Sequence, residues 1–428
     1  MVKSNKNRYL QFFLIVLAAG SIYPLIYLRQ TYQETILEVF TMTLEQMNII
    51  YSILGIVFVV GYFPSGLLSD KFSSKKLLAL SLFMTAVGGV WFVQIPSYGN
   101  VVLIFCIWGT FAVFTFWSAH MKLVKLLAKP EEEGRFFGIL DGGRGLVEAV
   151  LASIGVAIFA NVLGTSSALE ARKGALQAII WMYVIVLFAL SILVMLFVED
   201  DKKFLKVTDA TTDTAKQNVE KAKFQMKDLK MLFSNKAIFI MSGIIFMSYA
   251  VTWVYYYFSG FLQTNIAVDA VTVGTVMVVS LWMRPVGGIL GGVLADKIGK
   301  ASVLMSAIIL ASIGLVVMAI LPVSAGNTVF YGLVIITSAF IYAIRGTYWS
   351  LLGDTKIDDK ITGVAIGTIS LVGYLPDIIL PLFINGLFAS FGDYGGYNAY
   401  FISSAIIGGI AVVLILLFKA VIKKRDAV

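Results

Sequence analysis

Twelve apolar runs, each close to the roughly 20 residues that a helix needs to cross a bilayer, constrain this chain more than any other feature. They lie at about 9–29, 46–69, 77–96, 100–124, 135–163, 175–198, 237–262, 270–294, 302–321, 327–349, 362–390 and 397–418. Membrane barrel strands alternate apolar and polar residues over about ten positions. Stretches such as Ile238 to Ile245 are instead apolar on every side, so the runs are expected to be helices. Composition agrees: 59% of the 428 residues are hydrophobic and 14% are charged, against about 25% charged in soluble domains. Too little charge is present to cover two or three soluble domains. Lys3, Lys6 and Arg8 ahead of an apolar run ending in Ala18-Ala19-Gly20 imitate a cleaved signal peptide. The run continues through Ile22 to Leu28, however, and is expected to be a retained first span.

Basic residues give the orientation. With the N-terminus in the cytoplasm, 28 of the 33 Lys and Arg fall in cytoplasmic segments or helix ends, a strong positive-inside bias. The net charge of +8 is thereby a topology signal, and no basic face interleaved with aromatics points to nucleic acid. The expected location is the cell membrane, multi-pass, with both termini cytoplasmic. Residues 199–236 form one long polar segment with alternating charges and a Thr-rich patch, Thr208 to Thr214. It is expected to link two six-helix bundles, 1–198 and 237–428, the second ending in a short cytoplasmic tail.

These bundles repeat. Gly66-Leu-Leu-Ser-Asp70-Lys71-Phe-Ser-Ser-Lys75-Lys76 after span two matches Gly292-Val-Leu-Ala-Asp296-Lys297-Ile-Gly299-Lys300 after span eight, shifted by 226. Thr115-Phe116-Trp117-Ser118 in span four matches Thr347-Tyr348-Trp349-Ser350 in span ten, shifted by 232. Such repeats imply a pseudo-twofold axis along the membrane normal and a site between the halves near the midplane. The expected fold class is an all-α membrane protein with twelve transmembrane helices in two pseudo-twofold-related bundles.

The Gly-x-x-x-Asp-Lys-x-Gly-Lys pattern resembles the signature loop of the major facilitator superfamily. That family carries it after the second and, more weakly, the eighth span. Ser73 and Ser74 replace the glycine and first basic residue in the first copy; the second copy is intact through Lys300. The resemblance implies the major facilitator fold and gating roles for Gly66, Asp70, Lys71, Gly292, Asp296, Lys297 and Gly299. The alternative is that the lysines merely hold the loop inside the cell.

Ionisable residues inside spans mark pathways by default. In span five, Asp141, Arg144 and Glu148 are three and four residues apart, on one helix face where they can neutralise one another. They form either a self-contained packing triplet or an anion-binding Arg144 with Glu148 as its counter-charge or proton carrier. Arg29 ends span one, where snorkelling to the interface competes with substrate binding. The stretch Tyr27-Leu28-Arg29 resembles the first span of the organophosphate:phosphate antiporters, in which an arginine at this place grips the phosphate. Arg284-Pro285 onward in span eight, and Gly373 to Gly396, are loosely similar to the same family. Its second phosphate arginine, in span seven, has no counterpart here, the matching position being Thr252. Arg284 serves either as a further anion group or as the partner of Asp377, which otherwise is a proton-coupling residue. Arg345 reads as an interface or gate charge and His120 as an interface residue. In span seven, Tyr249 and Trp253 present a ring face to a substrate, or belong to an aromatic belt as Tyr256 and Tyr257 do.

Several absences narrow the function. No Gly-x-x-x-x-Gly-Lys-Ser/Thr loop exists to bind ATP. The single histidine, His120, reads as an interface residue and not as the base of a Ser-His-Asp set, and the lone Cys106 forms neither an internal disulfide nor a multi-cysteine metal site. No enzyme activity, metal or cofactor is expected. The expected function is secondary active transport of a small organic anion (a sugar phosphate, sulfonate, uronate or other carboxylate) by a monomer in the lipid bilayer, through alternating access. Substrate would be held by Arg29, Arg144, Arg284, Tyr249 and Trp253, with Glu148, Asp141 and Asp377 as proton-coupling or counter-charge groups. A porter for a neutral solute such as a sugar is the alternative, and a non-transporting membrane sensor the remote one.

Overall fold

The computed structural model describes residues 5–128, 132–166, 168–200, 236–355 and 362–426. Most of the expected linker, and the ends of several loops, lie outside the described residues. Among those described there is no strand. Ten helices are long and apolar enough to cross a membrane. One of them covers both of the last two spans, which part at Gly392, where φ is +70°; the apolar helix Arg8–Ser21 supplies the first. The twelve expected spans are thereby accounted for. The chain divides into two compact units, Met1–Val219 and Glu220–Val428.

Within each unit the same pairs of spans pack: one with five and seven with eleven, two with four and eight with ten, three with six and nine with twelve. Close approach of span five to span one is made at Gly143, where an added Cβ would stand 2.6 Å from Val16. Gly138 and Gly142 on the same span face open space.

Spans one, seven and eleven depart from regular α-helix beside residues of the candidate site, as spans four and ten do over Phe111–Thr115 and Tyr348–Thr355. Span one, expected to end near residue 29, instead breaks after Asn5–Ser21 and resumes as Arg29–Phe40. Pro24 lies in the break, lacking an N–H and crowding the preceding turn. Span seven runs Lys236–Thr252, tightens to a 3-10 turn over Trp253–Tyr257 and continues as Phe258–Thr264. No proline causes this. The Thr252 hydroxyl donates to the Tyr249 carbonyl at 2.8 Å, competing with the main-chain ladder. The 226-residue shift of the repeat carries Tyr27, in the first break, onto Trp253 in the second. Span eleven pauses between Thr362–Gly373 and the helix opening at Pro376.

The two copies of the signature loop turn differently. Gly299 ends span eight at φ +93°, a conformation that L side chains avoid. Its counterpart Ser73 has φ −62° and ψ 121°, which any residue adopts, so the replacement of glycine by serine in the first copy has a plain backbone reason.

Span eight, Ala270–Ile298, starts at Asp269, whose carboxylate accepts from the N–H groups of Val271 and Thr272 at 3.1 and 3.0 Å. Partial burial pushes this carboxyl up. The Thr272 hydroxyl and the cap N–H groups outweigh it and hold Asp269 below the usual carboxylate range. A depressed folded value stabilises above the unfolded pKa, and this stabilisation is lost as the pH falls through the folded value. Asp269→Ala is expected to cost about 1 kcal/mol at neutral pH. Thermal unfolding in detergent should show the gap between variant and wild type closing as the pH is taken below the usual carboxylate range.

Candidate functional site

In the first unit the break in span one presents Arg29 at the start of a helix. Its side chain is 1% exposed. Nη1 donates to Asn48 Oδ1 at 3.0 Å, Nη2 donates to Gln33 Oε1 at 2.9 Å, and the guanidinium lies 4.9 Å from the Tyr51 ring. Gln33 in turn donates to the Glu34 carboxylate at 3.0 Å, so negative charge reaches Arg29 through an amide. Hydrogen bonds to a charged group contribute about 1.5–3 kcal/mol each. Arg29 therefore does not snorkel: it is fixed within the unit, tying span one to span two.

Arg144, in span five (Glu133–Leu163), is held quite differently. Its Nε lies 3.7 Å from Glu148 Oε1, an ion pair too long for a hydrogen bond, and its guanidinium sits 4.9 Å from the Tyr23 ring. Tyr23 donates to the Ala112 carbonyl of span four at 3.1 Å. Glu148 is buried, whereas Asp141 is exposed and makes no ion pair among the described residues. The expected triplet is thus a pair. One guanidinium cannot turn both toward the residue three places before it and toward the one four places after it, and Arg144 turns toward Glu148 and Tyr23. His120 is buried within the unit, stacked on Phe116 and edge-on to Trp117.

The second unit centres on Asp377, 7% exposed. Its Oδ1 accepts from the Tyr249 hydroxyl at 2.7 Å and from Trp253 Nε1 at 2.8 Å. The Tyr249 ring stands edge-on to Tyr374, whose hydroxyl accepts from Trp349 Nε1 at 3.0 Å. Arg345 lies 5.7 Å from the Tyr249 ring and is the cation that acts on Asp377. Tyr249 and Trp253 are thus committed to a carboxylate through their polar atoms, and Asp377 is partnered by them and influenced by Arg345, not paired with Arg284. Arg284 is half-buried in span eight. Tyr257, expected in an interfacial belt, is fully buried against Tyr400.

Around the signature loops, Asp70's side chain lies outside the described residues, and Gly66 accepts from the Ser69 hydroxyl at 2.9 Å. Lys71, Lys297 and Asp296 are exposed, and Gly292 has open space beside it. The contacts at these ends are made by residues that spacing did not single out. Lys122 donates to the Ser69 carbonyl at 2.6 Å, a cation at the C-terminal end of span two. Lys300 pairs with Asp354 at 3.6 Å, and Arg425 donates to the carbonyls of Thr355 and Asp354 at 2.8 and 2.9 Å.

Reading the sequence passed over Tyr23 and took Arg345 only as an interface or gate charge. For Tyr23 a signal existed, since the 226-residue shift that aligns the signature loops carries it onto Tyr249. Nothing local distinguishes Arg345 from a helix-end charge.

Buried ion pairs and aromatic cages on broken membrane helices are an arrangement for binding and moving a solute. Residues 9–381 match the family model of the Major Facilitator Superfamily. The chain belongs to this superfamily. It is a multi-pass membrane transporter, not an enzyme. It is similar to the inner membrane protein YihN of Escherichia coli (strain K12), with 25% identity over 98% of this chain and 97% of that protein. Among solved structures it resembles a bacterial homologue of the human lysosomal transporter Spinster, inward-facing and unoccupied, with TM-score 0.75, 12% identity and 98% of each chain covered. A D-xylose-proton symporter has TM-score 0.72 at 15% identity, covering 94% of this chain and 97% of the other. These structural likenesses establish the fold.

The Asp377 cluster has a measurable energy. A double-mutant cycle of Tyr249→Phe and Asp377→Asn, read by thermal unfolding in detergent, is expected to give a coupling of about 1.5–3 kcal/mol. Additive effects of the two changes would show that the hydroxyl and carboxylate do not support each other.

Proposed function

We propose that this transporter moves a small organic anion by secondary active transport, with Arg144 gripping the anionic group and Glu148 or Asp377 coupling protons. The observation that carries this reading is the state of the Arg144 guanidinium. Among the described residues it makes no hydrogen bond, although a guanidinium offers five donors. Its Nε is buried without a hydrogen-bond partner, which is costly in an apolar span, and its partly exposed remaining donors are open to a carboxylate, sulfonate or phosphate, which takes them two at a time. Arg345 likewise has an aromatic ring as neighbour and no hydrogen-bond acceptor among the described residues, and serves as a second cation in its own unit. A neutral-solute porter would need every such arginine locked in a structural pair. Arg29 is held by two hydrogen bonds within its unit; Arg144, paired with Glu148 at a distance too long for a hydrogen bond, and Arg345 make none among the described residues.

The resemblance of Tyr27-Leu28-Arg29 to the organophosphate:phosphate antiporters keeps phosphate esters among the candidate substrates. Asn48 and Gln33 hold both terminal nitrogens of Arg29, so Arg29 shapes the site and Arg144 binds. Arg284 remains a further candidate for the anion, and Asp141 a counter-charge outside the Arg144–Glu148 pair. The gating roles of Asp70, Asp296 and their loops, the cytoplasmic placement of both termini and the monomeric state are part of the same proposal, supported by the loop motifs and the distribution of lysine and arginine.

Protonating Glu148 removes the counter-charge of Arg144 and leaves the guanidinium to the substrate, so proton and anion bind together. A thermal-shift screen of organic phosphates, sulfonates, uronates and neutral sugars, followed by counterflow in proteoliposomes, tests this. Arg144→Gln is expected to weaken anion binding about 10–100-fold. Glu148→Gln should keep or strengthen anion binding while abolishing proton-driven accumulation, and Arg29→Gln should lower the unfolding temperature. The reading is lost if neutral sugars bind wild type and Arg144→Gln alike and no anion binds.

A further inference from the structure

The repeated Thr-aromatic-Trp-Ser motif marks the places where spans four and ten leave the regular α-helix. In span four a π turn over Phe111–Thr115 ends on the motif's threonine; in span ten a 3-10 turn over Tyr348–Thr355 begins on its aromatic residue. The π turn rearranges the main chain beside Tyr23. The Phe116 N–H, which in a regular α-helix donates to the Ala112 carbonyl, donates to the Val113 carbonyl instead. The Tyr23 hydroxyl takes its place at Ala112, at 3.1 Å. Neighbouring spans brace the same turn. Thr115 shares a hydrogen bond with the Ser81 hydroxyl of span three at 2.6 Å, and the Ser118 N–H donates to the Ser65 hydroxyl of span two at 3.1 Å.

Spans one and five meet just ahead of Tyr23, where a Cβ added at Gly20 would stand 2.5 Å from Val147 and 2.9 Å from the Arg144 carbonyl. The Tyr23 ring then lies 4.9 Å from the Arg144 guanidinium and edge-on to Phe116 at 6.3 Å. A ring face attracts a guanidinium without occupying its N–H donors as a carbonyl or carboxylate does. The second unit repeats the device. Tyr249, related to Tyr23 by the 226-residue shift, has its hydroxyl committed to Asp377 at 2.7 Å and its ring 5.7 Å from Arg345.

We propose that Tyr23 is a positioning residue for the anion-binding arginine: the π turn of span four fixes its hydroxyl, and its ring holds the Arg144 guanidinium while leaving the N–H donors for the anion. The proposal rests on the reading of Arg144 as the anion group and adds what orients it. The two ends of this side chain do different work. Without the hydroxyl the Ala112 carbonyl is short of a donor. Without the ring the guanidinium is left to Glu148, now 3.7 Å from its Nε, and a closer ion pair there takes the donors that an anion needs.

The test uses the full-length protein purified in detergent, with glucuronate, glycerol 3-phosphate and methanesulfonate as probes in titration calorimetry at one pH. Tyr23→Leu is expected to bind the probes that wild type binds at least about tenfold more weakly. Tyr23→Phe keeps the ring and is expected to stay within about threefold of wild type, while unfolding at a lower temperature because the Ala112 carbonyl has lost its donor. Adding Glu148→Gln to Tyr23→Leu removes the competing carboxylate and is expected to recover most of the affinity, which general damage to the fold would not allow. Wild-type affinity in Tyr23→Leu, a loss in Tyr23→Phe as large as in Tyr23→Leu, or no recovery in the double variant overturns the role of Tyr23 and leaves Arg144 as the anion group. If Tyr23→Leu does not fold, Tyr23→Phe decides: a loss beyond about tenfold overturns the role and a smaller one upholds it. Wild-type affinity in Arg144→Gln, or no probe bound by wild type, overturns the anion reading itself, and the role of Tyr23 with it.

Discussion

A polar group inside an apolar span must find a partner or carry a cost of several kcal/mol, and most of what is particular to this transporter follows from how that demand is met. The main chain meets it by helix formation. Where a helix breaks, side chains and neighbouring carbonyls take over, as the Thr252 hydroxyl does beside the turn in span seven. Arg29 meets it through two amides and a ring. Arg144 meets it incompletely, with one distant carboxylate and one aromatic face. The contrast between these two arginines is the basis on which Arg144, and not Arg29, is proposed as the anion-binding group.

The internal repeat sharpens this contrast. Tyr23 and Tyr249 are related by the shift that aligns the signature loops, and each stands beside a charge on the fifth span of its own unit. In the first unit that charge is the Arg144 cation. In the second it is the Asp377 carboxylate, which the Tyr249 hydroxyl bonds directly. One scaffold thereby holds two different charges, a cation under an aromatic face and a carboxylate in a cage of donors, and the proposed anion and proton roles rest on them.

Much of the scaffold was legible in the linear chain, because membrane helices announce themselves by length and hydropathy without reference to partners. The break in span one was not, although Pro24 marked a weak point, since the helix resumes and runs to Phe40 instead of ending near Arg29. At the site, a charge in an apolar run identified Arg144, Glu148 and Asp377. Spacing then overreached by joining Asp141 to them, because a shared helix face permits two contacts that a single guanidinium does not make together. Arg345 read only as an interface or gate charge, since a basic residue in the last turn of a helix is commonplace, and its value comes from Tyr249 and Asp377 on other spans.

The sequence by itself determined that this is a membrane-spanning, internally repeated transporter of the Major Facilitator type, because hydrophobic length, charge placement and motif repetition are properties of the chain taken in order. The tertiary structure alone decided which charges are satisfied. It placed Asn48 and Gln33 on Arg29, Tyr249 and Trp253 on Asp377, and no hydrogen-bond acceptor among the described residues on Arg144. Hydrogen bonds act over about 3 Å, and most of these partners lie on different spans, a proximity that only the packing of helices creates.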